Sequence, residues 1–163
     1  MDFREGDRVM HWTHGLGKVV RVEERAVSGP KTLYYAVEIR DLTVWVPADA
    51  KLSKRLRLPT TKSGFRGLLA ILSGPGEKLP DDRYERRNRL LDQLKDGRAE
   101  SLCRVIRDLA NFRKKKPLND NDQALLKQSQ NALIAEWGFA LSLTPAQAEA
   151  ELHRILTAGA AGD

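Results

Sequence analysis

Apolar and polar residues alternate in four short runs near the start of the chain: Arg8-Val9-Met10-His11-Trp12, Lys18-Val19-Val20-Arg21-Val22, Tyr34-Tyr35-Ala36-Val37-Glu38-Ile39 and Leu42-Thr43-Val44-Trp45-Val46. A period of two marks strands covered on one face. Between the runs stand His14-Gly15-Leu16-Gly17, Ser28-Gly29-Pro30 and Arg40-Asp41, residue types that favour tight turns, so consecutive strands pair as antiparallel hairpins. A meander this short is expected to curl into a small barrel, with Gly15 and Gly17 as turn glycines. Trp12, Tyr34 and Tyr35 are expected in its core, the default for strand aromatics. Trp45 is different, because it alternates with Val44 and Val46 and projects from the opposite face. With the valines inward, Trp45 points outward, and beside Thr43 and the basic Arg25 of a neighbouring hairpin it is a candidate anchor for a protein partner.

Alternation ends after Pro47. Residues 48–63 are basic and rich in turn formers, the composition of a connection, which divides the chain into residues 1–58 and 59–163. Beyond it the apolar spacing becomes helical. Phe65 to Leu72 forms a short apolar helix stopped by Gly74-Pro75-Gly76. Asp81-Asp82 caps a second helix running through Leu90, Leu91 and Leu94 to Gly97. A third carries Leu102, Val105, Ile106, Leu109 and Phe112, Asn119 caps a fourth with Ala124, Leu125, Leu133, Ile134 and Trp137 apolar, and Thr144-Pro145-Ala146-Gln147 opens a fifth. The fold class is therefore α+β: a small N-terminal antiparallel β-barrel followed by an all-α half of about five helices.

Composition adds a partner class. The 163 residues carry a net charge of +6, unevenly placed. Between Pro80 and Lys116 twelve bases face seven acids, so this stretch holds five of the six excess charges. Such concentration favours a polyanion-binding surface over general solubility. The second helix opens with Arg83, Tyr84, Arg86 and Arg87, where Arg83 and Arg87 continue the stripe of Leu90, Leu91 and Leu94 toward the N-terminus; Lys114, Lys115 and Lys116 close the third. These seven residues are the candidate DNA contacts, through phosphates or a narrow minor groove.

Other chemistry is not indicated. Cys103 is the single cysteine and is expected to pack as a small hydrophobe, and His11, His14 and His153 lack metal-ligand spacing. Neither a phosphate-binding loop nor a catalytic carboxylate pair is recognisable, so the reading is non-enzymatic, without cofactor or metal. No apolar run approaches the ~20 residues a membrane span needs, and no signal segment opens the chain, so a cytoplasmic location and no membrane partner are expected.

The opening Gly6-Asp7-Arg8-Val9, the His14-Gly15-Leu16-Gly17 turn, the Tyr34-Tyr35 strand and the closing Leu42-Thr43-Val44-Trp45-Val46-Pro47, followed by a basic helical half, resemble the CarD/CdnL bacterial transcription regulators. That resemblance implies a Tudor-like (SH3-like) RNA-polymerase-interacting domain, of the kind shared with transcription-repair coupling factors, and a helical DNA-binding domain. It places the positions of Arg25 and Trp45 on the surface that holds the polymerase β subunit, with pairing along a sheet edge, although a basic residue often stands where Trp45 does. It also implies a tryptophan wedge at the start of the second helix. Matching Leu79-Pro80 and Asp96-Gly97 puts Arg83 there with Tyr84 beside it, so the wedge residue is absent.

The sequence thus leads to a monomeric, nucleoid-associated transcription regulator. It would hold the RNA polymerase β subunit through Arg25, Thr43 and Trp45, lay its basic helices on double-stranded promoter DNA, and modulate open-complex stability. Two other readings use the same features: a Tudor-like RNA- or ribosome-binding module with a helical extension, and a protein-protein adaptor with no nucleic-acid affinity.

Overall fold

The computed structural model describes residues 2–26 and 29–160. The four alternating runs form β1 (Arg8–His11), β2 (Gly15–Arg25), β3 (Thr32–Ile39) and β4 (Leu42–Pro47), an antiparallel meander. A one-turn helix α1 (Leu52–Arg55) then leads into β5 (Leu56–Arg57), which returns to pair with β1. One face of the sheet buries Val9, Val19, Tyr35, Val37, Ile39, Val46 and Leu56, with Phe3 set edge-on to Tyr35.

The expected barrel does not close. Strand order is β4-β3-β2-β1-β5, with β4 and β5 at opposite ends. Helix α1 contacts both and stands where they would have to meet, while β5 offers only two residues for pairing. The module is therefore an open, bent five-stranded sheet. Curvature is helped by a bulge in β2 between Val19 and Arg21, where the register against β3 shifts.

Two further expectations change. Gly17 is a strand residue opposite Val9, and a Cβ there would lie 2.8 Å from a Val37 methyl, so it is glycine because β2 approaches the core too closely for a side chain. Gly15, at φ +87, does need glycine's freedom as the chain leaves the turn. Of the aromatics assigned to the core, Tyr35 is buried, Tyr34 is only partly covered and Trp12 remains 44% exposed.

The helical half comprises α2 (Phe65–Leu72), α3 (Arg83–Leu94), α4 (Ala99–Lys115), α5 (Asp120–Leu141) and α6 (Pro145–Ala160). Local caps set their starts. Asp82 accepts from the N–H groups of Tyr84 and Glu85, Asn119 accepts from that of Asp122, and Thr144 and Gln147 form a reciprocal capping box. The core lies around α4, whose Cys103, Val105, Ile106 and Leu109 are fully buried, and Trp137 of α5 stacks on Phe65 of α2. Burial drives the Cys103 thiol up to about 12, which leaves it an inert core residue.

The halves are joined by a buried carboxylate. Glu136 of α5, fully buried, accepts from both terminal nitrogens of Arg57 at 2.6 and 2.9 Å and from the backbone N–H and hydroxyl of Thr60 at 2.8 and 2.7 Å. Arg57 Nε also donates to the Gly97 carbonyl at 2.9 Å. Burial alone raises the Glu136 carboxyl, but the hydrogen bonds and charge of Arg57 and the two bonds from Thr60 outweigh it and hold the group below its ordinary value. At the β1–β2 turn, the buried His11 accepts through Nδ1 from the N–H groups of Thr13 and His14, each at 3.2 Å. Burial, then the charges of His14 and Arg55, depress it to about 4, so it is a neutral acceptor that fixes the turn.

These two groups give stability a defined pH dependence. Below its ordinary 6.5, unfolded His11 takes up a proton that the folded chain refuses down to about 4, so stability falls as pH drops through that window. The Glu136 contribution is complete above its ordinary 4.5 and is lost as pH falls through its lowered folded value. Denaturant titrations from neutral pH to about 4 are expected to show a declining midpoint, with the His11 part of the slope removed in His11→Asn. Glu136→Gln, which leaves the Arg57 charge without its counter-ion, is expected to cost about 3 kcal/mol at neutral pH.

Candidate functional site

Strand β4 presents one open edge. The Ala48 N–H donates to the Leu33 carbonyl at 2.8 Å, and in the β3–β4 register the inward-bonding positions continue to Val46 and Val44. The backbone N–H and C=O of Thr43 and Trp45 therefore face away from the sheet, and among the described residues no strand pairs with them. Pro47 follows without an N–H, ending the run of edge donors. Here the period-two argument holds: Val44 and Val46 pack with the sheet core, and Trp45 lies on the opposite face. The Arg25 guanidinium stacks 3.6 Å from the Trp45 ring centroid, while Glu23 holds Arg25 and Arg21 at 3.8 and 3.5 Å. Arg25, Thr43 and Trp45 thus form one surface, with an indole whose orientation is braced by a cation–π contact worth about 0.5–1 kcal/mol.

The cationic helix ends are sorted differently from the sequence reading. Arg83 is exposed, stacks 4.9 Å from the centroid of the Tyr84 ring and donates to the Tyr84 hydroxyl at 3.1 Å. Tyr84 is 65% exposed, so the pair forms a projecting aromatic–guanidinium unit directly after the Asp82 cap. Arg87 is also exposed, one helical turn further on. Lys114 reaches the carbonyl of Leu156 at 3.1 Å, Lys116 pairs with Asp81 at 2.8 Å across the α3 entrance, and Lys115 is exposed with no ion pair among the described residues. The Lys116 hydrogen bond, then its charge, lowers the Asp81 carboxyl below its ordinary value.

Arg86 leaves this set. It is 5% exposed, and its guanidinium bonds Asp122 at 2.8 Å and the carbonyls of Pro80 and Asp81 at 3.1 and 3.0 Å, with Phe112 beneath it. It is also Arg86, four residues before the buried Leu90, that continues the inward stripe, while Arg83 and Arg87 face solvent. An arginine spent on an internal carboxylate and two carbonyls has no donors directed at a phosphate. It bolts the α3 entrance to the start of α5, and the sequence held no local sign of a partner 36 residues away.

Among the described residues no group of three or more His, Cys, Asp or Glu could hold a metal ion, and no helix is long and apolar enough to cross a membrane. Fold and surfaces together define a class: a bent β-sheet with one open edge, joined to a helical array whose exposed end carries cations. The chain matches the family model described as the CarD-like/TRCF RID domain over residues 3–58, and that described as CarD, C-terminal domain over residues 67–153. The chain belongs to the CarD-like family. It is also 27% identical over 149 residues to "Putative transcription factor YdeB" of Bacillus subtilis (strain 168), a match covering 89% of this chain and 96% of that protein.

Arg86→Ala, by stranding Asp122 in the interior, is expected to lower stability by about 3–5 kcal/mol in a denaturant titration. Arg87→Ala, at an exposed position, is expected to change it by less than about 0.5 kcal/mol.

Proposed function

We propose that this chain is a transcription regulator that holds the RNA polymerase β subunit along the open edge of β4 and lays its helical half on upstream promoter DNA. The observation that carries the reading is the edge itself: Thr43 and Trp45 direct unpaired backbone groups outward beside an indole stacked by Arg25. An extended segment of the partner adds as one more strand, its main chain giving affinity, with Trp45 and Arg25 selecting the side chains beside it. On the helical side, Arg83, Arg87, Lys114, Lys115 and Lys116 supply sequence-independent phosphate contacts. Modest DNA affinity suffices, because attachment to polymerase raises the local concentration. Membership of the CarD-like family and the likeness to YdeB, named a transcription factor, support the role, and no chemical step is assigned to the chain.

At the wedge position the Arg83–Tyr84 unit replaces an indole. A tryptophan unstacks a base step, whereas a guanidinium is drawn to the negative potential of a narrow groove, so this protein holds an opened promoter less firmly than a tryptophan-bearing relative.

Arg25→Glu with Trp45→Ala is expected to weaken co-purification with the cognate polymerase about tenfold or more while leaving the melting temperature within a few degrees. A folded double variant that binds polymerase normally overturns the edge assignment. On one promoter, Arg83→Ala is expected to lower DNA affinity severalfold, and Arg83→Trp to lengthen open-complex lifetime in a reconstituted assay. If Arg83→Ala changes neither affinity nor lifetime, Arg83 is a solvated residue of the first turn.

A further inference from the structure

The tips of the β1–β2 and β3–β4 hairpins meet the outer face of α5 around a cleft of about 420 Å³. Arg40, His14 and Lys127 line it together with Asn131 and Gln128, and none of its lining residues is acidic. Among the described residues neither Arg40 nor Lys127 enters an ion pair, in contrast to Arg57, Arg86 and Arg107, which are spent on internal carboxylates. The cleft thus presents positive charge with no acidic residue in its lining, an arrangement that favours an anion.

Two independent features fit an anion of nucleic-acid type. Helix α5 exposes Asn121, Ala124, Gln128, Asn131 and Ala135 at spacings of three and four, one continuous stripe of small and amide side chains. From Gln123 to Ala135 it carries no carboxylate at all, so a backbone of phosphates can approach without repulsion. Arg40, moreover, sits at φ +56 in its hairpin turn, where glycine or asparagine is the usual choice. A cation kept at a strained backbone position motivates a functional role for it. The cleft is also preformed, because Gln128 donates to the Thr13 carbonyl at 2.6 Å and Glu136 locks the two halves together.

We propose that this cleft binds a phosphate group, with Arg40 and Lys127 as its charged contacts and Asn131 as a neutral one. The α5 stripe favours a nucleic-acid backbone as its source, which extends the DNA surface from the helical half onto the β-sheet half. For its ligand the inference rests on the nucleic-acid reading above; for its residues it does not.

The test uses the full chain, a fluorescent promoter duplex and a salt series. Arg40→Ala with Lys127→Ala is expected to lower affinity about tenfold at ~0.1 M salt and to reduce the slope of log affinity against log salt by about one, at ~0.9 for the one phosphate lost. Arg40→Lys with Lys127→Arg should restore the slope. Arg40→Gly separates function from folding, since it relieves the strained turn and is expected to raise the melting temperature while weakening DNA. Calorimetry with inorganic pyrophosphate distinguishes the source: binding that is lost in the double alanine variant, with DNA affinity unchanged, assigns the cleft to a free phosphoanion. A folded double alanine variant that keeps both DNA affinity and pyrophosphate behaviour overturns the cleft. If Arg83→Ala with Lys115→Ala still loses DNA in that case, the helical DNA surface stands without it, and if it too is unchanged, the nucleic-acid reading fails with it.

Discussion

A single carboxylate, that of Glu136, determines how the two halves of this protein lie. Fully buried, it is tolerated only because four donors converge on it, two from Arg57 and two from Thr60. Those donors come from the strand and segment that end the β-sheet half, whereas the acceptor is on α5. Any other placement of the sheet strands a buried charge at a cost of several kcal/mol, which exceeds what a few surface contacts recover. The same guanidinium binds the Gly97 carbonyl, and Gly97, at φ +69, leaves no room for a Cβ against the Lys54 backbone. One arginine thereby ties β5 to the α3–α4 connection and to α5 together.

This constraint gives meaning to the open edge. The short β5 closes the β1 side of the sheet and turns it toward the helices, so β4 is left at the far end of the strand order. The outward-facing groups of Thr43 and Trp45 stand on one half and the Arg83–Tyr84 unit on the other, and with the halves locked the separation between them is fixed. Under the proposed function, that fixed separation would match two partners whose own spacing is set.

Features decided by neighbours in sequence were legible from the sequence. The period-two runs, the Asp82, Asn119 and Thr144 caps and the outward direction of Trp45 all depend on residues within four positions. What escaped depends on distant ones. Two residues of β5 carry no periodicity, so Arg57 read as linker although it is the central donor of the fold. Gly17 resembled a turn glycine because the crowding by Val37 comes from another strand. Closure of the barrel failed for a related reason, since nothing local reveals that α1 stands between β4 and β5.

Charge shows the same division in its sharpest form. The excess of +6 locates a polyanion surface only roughly, because a formal charge is not an available one. Arg57, Arg86 and Arg107 sit against Glu136, Asp122 and Asp108 at 2.6, 2.8 and 3.0 Å, and their fields are cancelled within the protein. Arg86 lies among three other bases in the first two turns of α3, yet it contributes packing rather than attraction for phosphate. Arg83 differs because its neighbour is the neutral Tyr84, which steers the guanidinium without neutralising it. Under the proposed function the DNA surface draws first on exposed cations that have no carboxylate partner among the described residues, Arg83, Arg87 and Lys115, and the cleft proposal adds Lys127 and Arg40, which lie outside the basic stretch of sequence.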